Sequence, residues 1–156
     1  MDKKPTKTIS VNRKARHEYF IEESFEAGVE LFGTEVKSLR AGSCNLKDSW
    51  CDITKNGELF VKQMHIAPYE HGNIFNRDAY RDRRLLMHKR EIRRLMGLVA
   101  QQGYTLIPLS LYFKGSRVKM QLGLCKGKQL HDKRRDIAKR DAQRDIDRAL
   151  RDRQKA

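Results

Sequence analysis

Two pairs of apolar–polar alternating segments, each joined by a short turn, limit what this chain can fold into more than any other feature. Thr105, Ile107, Leu109, Leu111 and Phe113 alternate up to Lys114-Gly115-Ser116, and Val118, Met120, Leu122 and Leu124 alternate after it. A period of two marks strands with one buried face, so the pair reads as an antiparallel hairpin. A second hairpin runs from Trp50–Thr54 to Leu59–Ile66 around Lys55-Asn56-Gly57-Glu58, since both Asn and Gly accept positive φ. Phe25, Ala27, Val29 and Leu31 form a further half-buried strand. Tyr19 and Ile21 suggest a separate strand before it, with a kink near Glu23-Ser24. Pro108 lies on the opposite parity of its strand, which puts it at an edge or a bulge.

Two stretches have the helical period instead. Thr34 is placed to cap a short helix over Glu35–Ala41 that Gly42 ends. Ile92, Leu95, Met96 and Val99 share one face of a helix over Lys89–Gln102, with Gly103 just after it. Core packing is the reading for that stripe. No βαβ rhythm is present. The expected fold is all-β with accessory helices: a small, partly open antiparallel barrel of the oligonucleotide-binding (OB) type, two or three α-helices and a basic C-terminal tail.

Charge adds the direction of function. The 156 residues include 34 Lys and Arg against 20 Asp and Glu, a formal net charge of +14, with 38% hydrophobic residues. That apolar share supports one modest core. No run approaches the roughly 20 apolar residues needed to cross a bilayer, and no apolar leader follows Met1-Asp2-Lys3-Lys4. Cys44, Cys51 and Cys125 are never closely spaced, and read as reduced thiols in a cytoplasmic protein. His17, His65, His71, His88 and His131 are scattered without i,i+4 spacing, so no metal site is expected. No phosphate loop, nucleophile elbow or zincin helix occurs, and the chain reads as a binder, not an enzyme, with no cofactor. A polyanion is the natural partner, and nucleic acid fits better than a membrane because the Lys89–Gln102 helix has no Trp or Phe on its apolar face.

The positive charge forms clusters. Asn12-Arg13-Lys14-Ala15-Arg16-His17 precedes the first strand, and Arg77, Arg81, Arg83, Arg84, Lys89, Arg90, Arg93 and Arg94 form a second group. Arginines at such density suit bidentate phosphate contact. Tyr69, Phe75 and Tyr80 lie nearby, either to stack on unpaired bases or to fill the barrel mouth. Residues Lys126–Ala156 hold 12 basic and 6 acidic side chains, no aromatic, and a thin stripe of Ala138, Ala142, Ile146 and Leu150. Such a segment is either a solvated tail or one that becomes helical against a partner. The expected division is a flexible basic N-terminus over 1–11, the barrel over 12–126 and the tail over 127–156.

Several motifs occur in a fixed order: Asn12-Arg13-Lys14-Ala15-Arg16-His17-Glu18-Tyr19, Phe25-Glu26-Ala27-Gly28, and Gly33-Thr34-Glu35-Val36-Lys37-Ser38-Leu39-Arg40-Ala41-Gly42. His65-Ile66-Ala67-Pro68-Tyr69, Arg84 to Ile92 and Gly127-Lys128-Gln129-Leu130-His131-Asp132-Lys133-Arg134 complete the set. Over 12–134 the chain resembles the SmpB family, the SsrA-binding proteins that accompany transfer-messenger RNA in bacteria. The resemblance implies an OB-type barrel and a tail unstructured when free. It implies binding to the tRNA-like part of transfer-messenger RNA, in place of a missing anticodon arm, during trans-translation on stalled ribosomes. It also implies contact with the small-subunit decoding centre, its rRNA and the empty mRNA channel, elongation factor Tu in the delivery complex, and a monomeric protein. Carried onto this sequence, Asn12, Arg13, Lys14, Glu26, Lys37, Arg84, Leu86, His88, Lys89 and Arg90 would face the RNA. Lys128, His131, Asp132, Lys133, Arg134, Lys139 and Arg140 would form the ribosome-binding tail. The chain departs from the family pattern at Gln129, where Lys is usual, and at Met87, where Leu is usual; His88 stands where some members have Asn.

Overall fold

The computed structural model describes residues 5–69, 76–127 and 130–155, without the side chains of 101, 102, 130–136, 154 and 155. The stacking candidate Phe75 lies outside the described residues, as do His71, Lys128 and Gln129.

The long hairpin is present as β8 (Thr105–Lys114) and β9 (Arg117–Gly127), with Lys114 opposite Arg117 and Gly115 at φ 62 in the turn. The register slips between Pro108 and Ser110, so Pro108 sits at a β-bulge, where its missing N–H is tolerated. The other hairpin is β4 (Trp50–Ile53) with β5 (Leu59–Lys62). Its turn uses positive φ at Gly57 only; the Gly57 N–H donates to the Thr54 carbonyl at 2.9 Å, and the Thr54 N–H donates to the Glu58 carbonyl at 2.8 Å. Asn56 therefore does not share the left-handed conformation its pairing with Gly57 suggests.

Other expectations change in the tertiary setting. Tyr19–Val29 is one 11-residue strand, β2, with no break at Glu23-Ser24. The run Leu59–Ile66 divides, because Gln63 turns at φ 63 and sends His65–Ile66 (β6) to pair with Cys44–Asn45 (β3). Arg83–Leu86 forms β7, and Arg13–Glu18 forms helix α1; neither is apparent from periodicity because both segments are rich in charge. The N-terminal stretch expected to be flexible contains β1 (Thr6–Val11), which pairs with β8 from Lys114 to Ser110. The reason is a free edge: β4 meets β8 at Leu106, which leaves the far half of that edge open to a strand rich in Thr, Ile and Val.

The seven-stranded sheet has the order β1-β8-β4-β5-β7-β2-β9, and an additional pairing of β9 with β8 brings it back on itself, with β1 added alongside β8. The described registers are antiparallel, in keeping with the expected OB-like architecture. Helix α2 spans Gly33–Arg40 and α3 spans Lys89–Gln102. Gly42 and Gly103 follow them at φ 77 and 69, as helix-ending glycines do. Thr34 is not the cap of α2; the cap position is Phe32, whose N–H donates to the Glu35 carboxylate at 2.9 Å. Leu59, Val61, Met64, Leu85, Leu95, Leu106, Leu111, Met120 and Leu122 form the buried core with Leu39 of α2 and Ile92 of α3. A smaller cluster of Ala15, Ile107 and Cys125 lies beneath α1. All three cysteines are free, and burial pushes the Cys44 and Cys125 thiols up to about 11.

One ionic cluster ties these layers together. Arg83 is fully buried, with Nε donating to Glu35 at 2.8 Å, Nη2 donating to the Ala79 carbonyl at 3.0 Å and Nη1 donating to the Met64 carbonyl. Arg81 also donates to Glu35, through Nε at 3.2 Å and through Nη2. Residues 127–156 form a separate compact unit, in which Leu130–Lys155 is a single 26-residue helix, α4, about 39 Å long at 1.5 Å per residue.

Glu35→Ala leaves the Arg83 guanidinium buried without its carboxylate, and is expected to cost about 3–5 kcal/mol in urea unfolding. Burial raises the Glu35 carboxyl, but hydrogen bonds from Arg81, the Phe32 N–H and Arg83 outweigh it and hold the group below its ordinary value. Its contribution is therefore present above the ordinary carboxylate value and is lost as pH falls through the lower folded one. The urea midpoint should fall over that acid range in the parent protein, and less steeply in Glu35→Ala.

Candidate nucleic-acid interface

Strand parity builds one candidate surface. On β7 the side chains of Arg83 and Leu85 are buried, which turns Arg84 and Leu86 outward. Leu86 is opposite Gly28 of β2, and Arg84 is opposite Phe60 of β5. A Cβ on Gly28 would lie 3.4 Å from the Leu86 Cβ, so the glycine lets Leu86 lie against the strand while its side chain stays 51% exposed. Glu26 is two residues before Gly28 and shares its outward face. His88 occupies the position before α3, its carbonyl accepting the Ile92 N–H at 3.1 Å, and Lys89 and Arg90 begin the helix exposed. Glu26, Arg84, Leu86, His88, Lys89 and Arg90 thus come from one pair of strands and the helix that follows them.

The carboxylate in this basic setting is held in place. Tyr112 donates its hydroxyl to Glu26, and Lys114 Nζ reaches the two carboxylate oxygens at 3.2 and 3.4 Å. The Tyr112 bond, helped by Lys114 and Lys119, outweighs the opposing effect of burial and holds the Glu26 carboxyl below its ordinary value. Burial and Glu26 in turn push the Tyr112 hydroxyl up. Glu26 is therefore ionised at neutral pH, with acceptor capacity beyond its two partners. Tyr112, Lys114 and Lys119 are absent from the sequence-derived candidates. A signal for them exists: they lie on the opposite parity from Leu111, Phe113, Val118 and Met120, which marks them as outward.

Other candidates are placed differently. Arg13 and Lys14 are exposed on α1. Asn12 is tied into the fold: its amide nitrogen donates to the Pro108 carbonyl at 2.9 Å, and its backbone N–H donates to the Leu109 carbonyl at 2.8 Å. The β8 bulge thus seats the start of α1. Lys37 is exposed on α2, with Nζ 5.5 Å from the Tyr69 ring centre. The arginine cluster also divides. Arg81 and Arg83 hold Glu35, and Arg94 grips Glu23 through two hydrogen bonds at 3.1 and 2.8 Å. A phosphate role for Arg83 is excluded by its burial, a correction that density of charge alone could not reveal. Tyr80 does not fill a barrel mouth; it is 54% exposed, its ring 4.9 Å from that of His65. In the tail, Lys139 and Arg140 are exposed on α4, while the side chains of His131, Asp132, Lys133 and Arg134 lie outside the described ones. Among the described residues no group of His, Cys, Asp and Glu could hold a metal ion, and no helix is long and apolar enough to cross a membrane.

Comparison with known proteins adds the lineage. The family described as SmpB protein matches residues 9–152. The chain belongs to the SmpB family. It is 60% identical over 152 residues to an SsrA-binding protein of Clostridium kluyveri, covering 97% of this chain and 96% of the relative. It is 58% identical over 152 residues to an SsrA-binding protein of Acetivibrio thermocellus, covering 97% of this chain and 98% of the relative. A solved chain described under "tmRNA-SmpB: a journey to the center of the bacterial ribosome" is similar with a TM-score of 0.65 and 46% identity, over 82% of this chain and 93% of that one.

Tyr112→Phe removes the hydroxyl donor from Glu26. A carbon-detected NMR titration should show the Glu26 carboxyl below the ordinary range in the parent and moved upward in Tyr112→Phe, with stability changed by no more than about 1.5 kcal/mol.

Proposed function

We propose that this chain is the RNA-binding adaptor of trans-translation in its organism, a cytoplasmic monomer without catalytic activity. Its body binds the tRNA-like part of transfer-messenger RNA and takes the place of the missing anticodon arm. The observation that carries this reading is the outward face on which Glu26, keyed by Tyr112 and Lys114, lies beside exposed Leu86 and the basic start of α3. It is supported by membership of the SmpB family over residues 9–152. Arg84, Lys89 and Arg90 meet phosphates, Glu26 accepts from a base amino group or a 2′-hydroxyl, and Leu86 covers an apolar part of the nucleotide. Arg13 and Lys14 extend the contact along α1, and Lys37 from α2.

The tail has a second task. Its described residues 137–153 are exposed, including Ile137, Ile146 and Leu150 at 41, 53 and 52%. A helix with so little apolar surface to bury gains its order from a partner. In this reading the segment is unstructured when free and becomes helical in the empty mRNA channel, with Lys128, His131, Asp132, Lys133, Arg134, Lys139 and Arg140 toward the decoding centre and its rRNA. Elongation factor Tu joins the delivery complex.

Glu26→Ala or Leu86→Asp should weaken binding to a tRNA-like RNA fragment, measured against excess bulk tRNA, by roughly 10–100-fold, the value of one charge-assisted contact. Unchanged affinity in both variants overturns the assignment of this face. Truncation after Gly127 should preserve that affinity and abolish peptide tagging in a stalled-ribosome reaction. Circular dichroism of the free peptide 126–156 should show little helix, and a stable helix in buffer would remove the folding-on-binding step.

A further inference from the structure

The return of the sheet on itself leaves one strand with a free side. Of the seven strands, β1 alone pairs with a single neighbour among the described residues, β8. The Gly115 N–H donates to the Pro5 carbonyl at 3.0 Å, and the Asn12 N–H donates to the Leu109 carbonyl at 2.8 Å. Along an antiparallel pair, residues that bond to the neighbouring strand alternate with residues that bond away from it. Lys7 therefore bonds toward β8, as Pro5 does, while Thr6 and Thr8 aim their backbone N–H and carbonyl groups outward. Thr6, Lys7 and Thr8 are all exposed. Such an edge is a ready template for a further strand.

A cleft opens beside this edge. It measures about 240 Å³ and is lined by Pro5, Thr6, Lys7, Arg40, Phe113 and Gly115. Lys7 is directly opposite Phe113, so the two side chains stand on the same side of their strands. Phe113 is 7% exposed and forms the floor. Arg40, at the end of α2, lies over the Phe113 ring with Cζ 5.1 Å from its centre. The cleft thus has an apolar floor, two cations and no acidic lining residue. Neither Lys7 nor Arg40 has an ion-pair partner among the described residues.

These features select the occupant. A segment laid along β1 places every second side chain on the cleft side. There a carboxylate meets Lys7 as a cross-strand pair, and an apolar side chain two residues away reaches Phe113. A second copy of β1 has a cation and no carboxylate over Thr6–Val11, so it would bring like charges together. A nucleic acid finds no stacking platform, because the core and Arg40 cover the Phe113 ring. We infer that β1 accepts, as an added strand, an extended acidic segment of another protein, with carboxylates and an apolar side chain at alternate positions. The site uses none of the side chains assigned to RNA, and it does not rest on that reading.

The test uses the full chain and a blocked, dye-labelled hexapeptide, threonine-leucine-threonine-glutamate-threonine-glutamate, followed by fluorescence anisotropy. Saturable binding is expected, with amide shifts at Thr6 and Thr8 in heteronuclear NMR. Methylating one alternate set of peptide nitrogens should abolish binding, and methylating the other should not, since an added strand turns only every second N–H toward its neighbour. Lys7→Glu should weaken binding about ten-fold and favour a peptide with lysine in place of glutamate. Thr8→Pro removes an outward N–H that β8 does not use, and should weaken binding by a similar factor. Its urea midpoint and its affinity for the tRNA-like fragment should stay at parent values. Should the midpoint fall, the methylated peptides decide the question on the parent chain. No saturable binding, or equal tolerance of both methylated sets, overturns the inference. Displacement by decaglutamate as readily as by the unlabelled hexapeptide reduces the binding to charge alone and overturns it. Displacement by hexauridylate at the same concentrations makes the cleft a nucleic-acid site and overturns it as well.

Discussion

A fully buried guanidinium organises this protein. Arg83 occupies a core-facing position of β7 between apolar neighbours, where an unpaired charge would be costly. It is tolerated because Glu35 and the carbonyls of Met64 and Ala79 accept its donors. Those partners come from α2, from the link between β5 and β6, and from the turn before β7. Three otherwise separate segments thus meet at one side chain. An apolar residue of the same volume could fill the space, but it would not dictate the directions from which its neighbours arrive. With Arg83 inward, Arg84 and Leu86 must face outward, and the start of α3 follows from where β7 ends.

Charge has two uses in this fold. Arg81 and Arg83 are committed to Glu35 inside the fold, and Arg94 is paired with Glu23 on the exterior. Arg84, Lys89 and Arg90 remain on the surface. Glu26 belongs to the surface set even though it is acidic, because Tyr112 and Lys114 from β8 fix its orientation. A net positive surface attracts a polyanion; an oriented carboxylate within it adds a directional acceptor that phosphate attraction alone lacks. The acidic residue narrows what the basic surface can bind.

Legibility in the sequence followed the strength of each local pattern. The β8–β9 hairpin, the Pro108 bulge and both helix-ending glycines could be read directly because alternation and glycine conformation are local properties. β7 could not, since its two inward positions are Arg83 and Leu85, and an arginine in the core reads as surface until its partners are known. The same gap turned the arginine cluster into a uniform phosphate site. β1 escaped notice because its stability lies in the open edge of β8, far away in sequence. Glu26, Leu86 and His88 were accessible through family motifs, whereas Tyr112, Lys114 and Lys119 required recognition that the outward parity of a core hairpin is itself a surface.

By itself the sequence determined the strand-and-turn plan, the helix ends, the excess of positive charge and the contrast between an apolar body and a core-poor tail. These follow from side-chain period, backbone preference and composition, which act over a few residues. Only the tertiary structure decided which cations are available to a ligand and which are spent, because that depends on partners distant in the chain. It also decided that the strands return on themselves through β8 and β9, leaving β1 with an open edge among the described residues. Burial and hydrogen-bond direction are properties of the assembled fold, and for this protein they separate structural charge from surface charge.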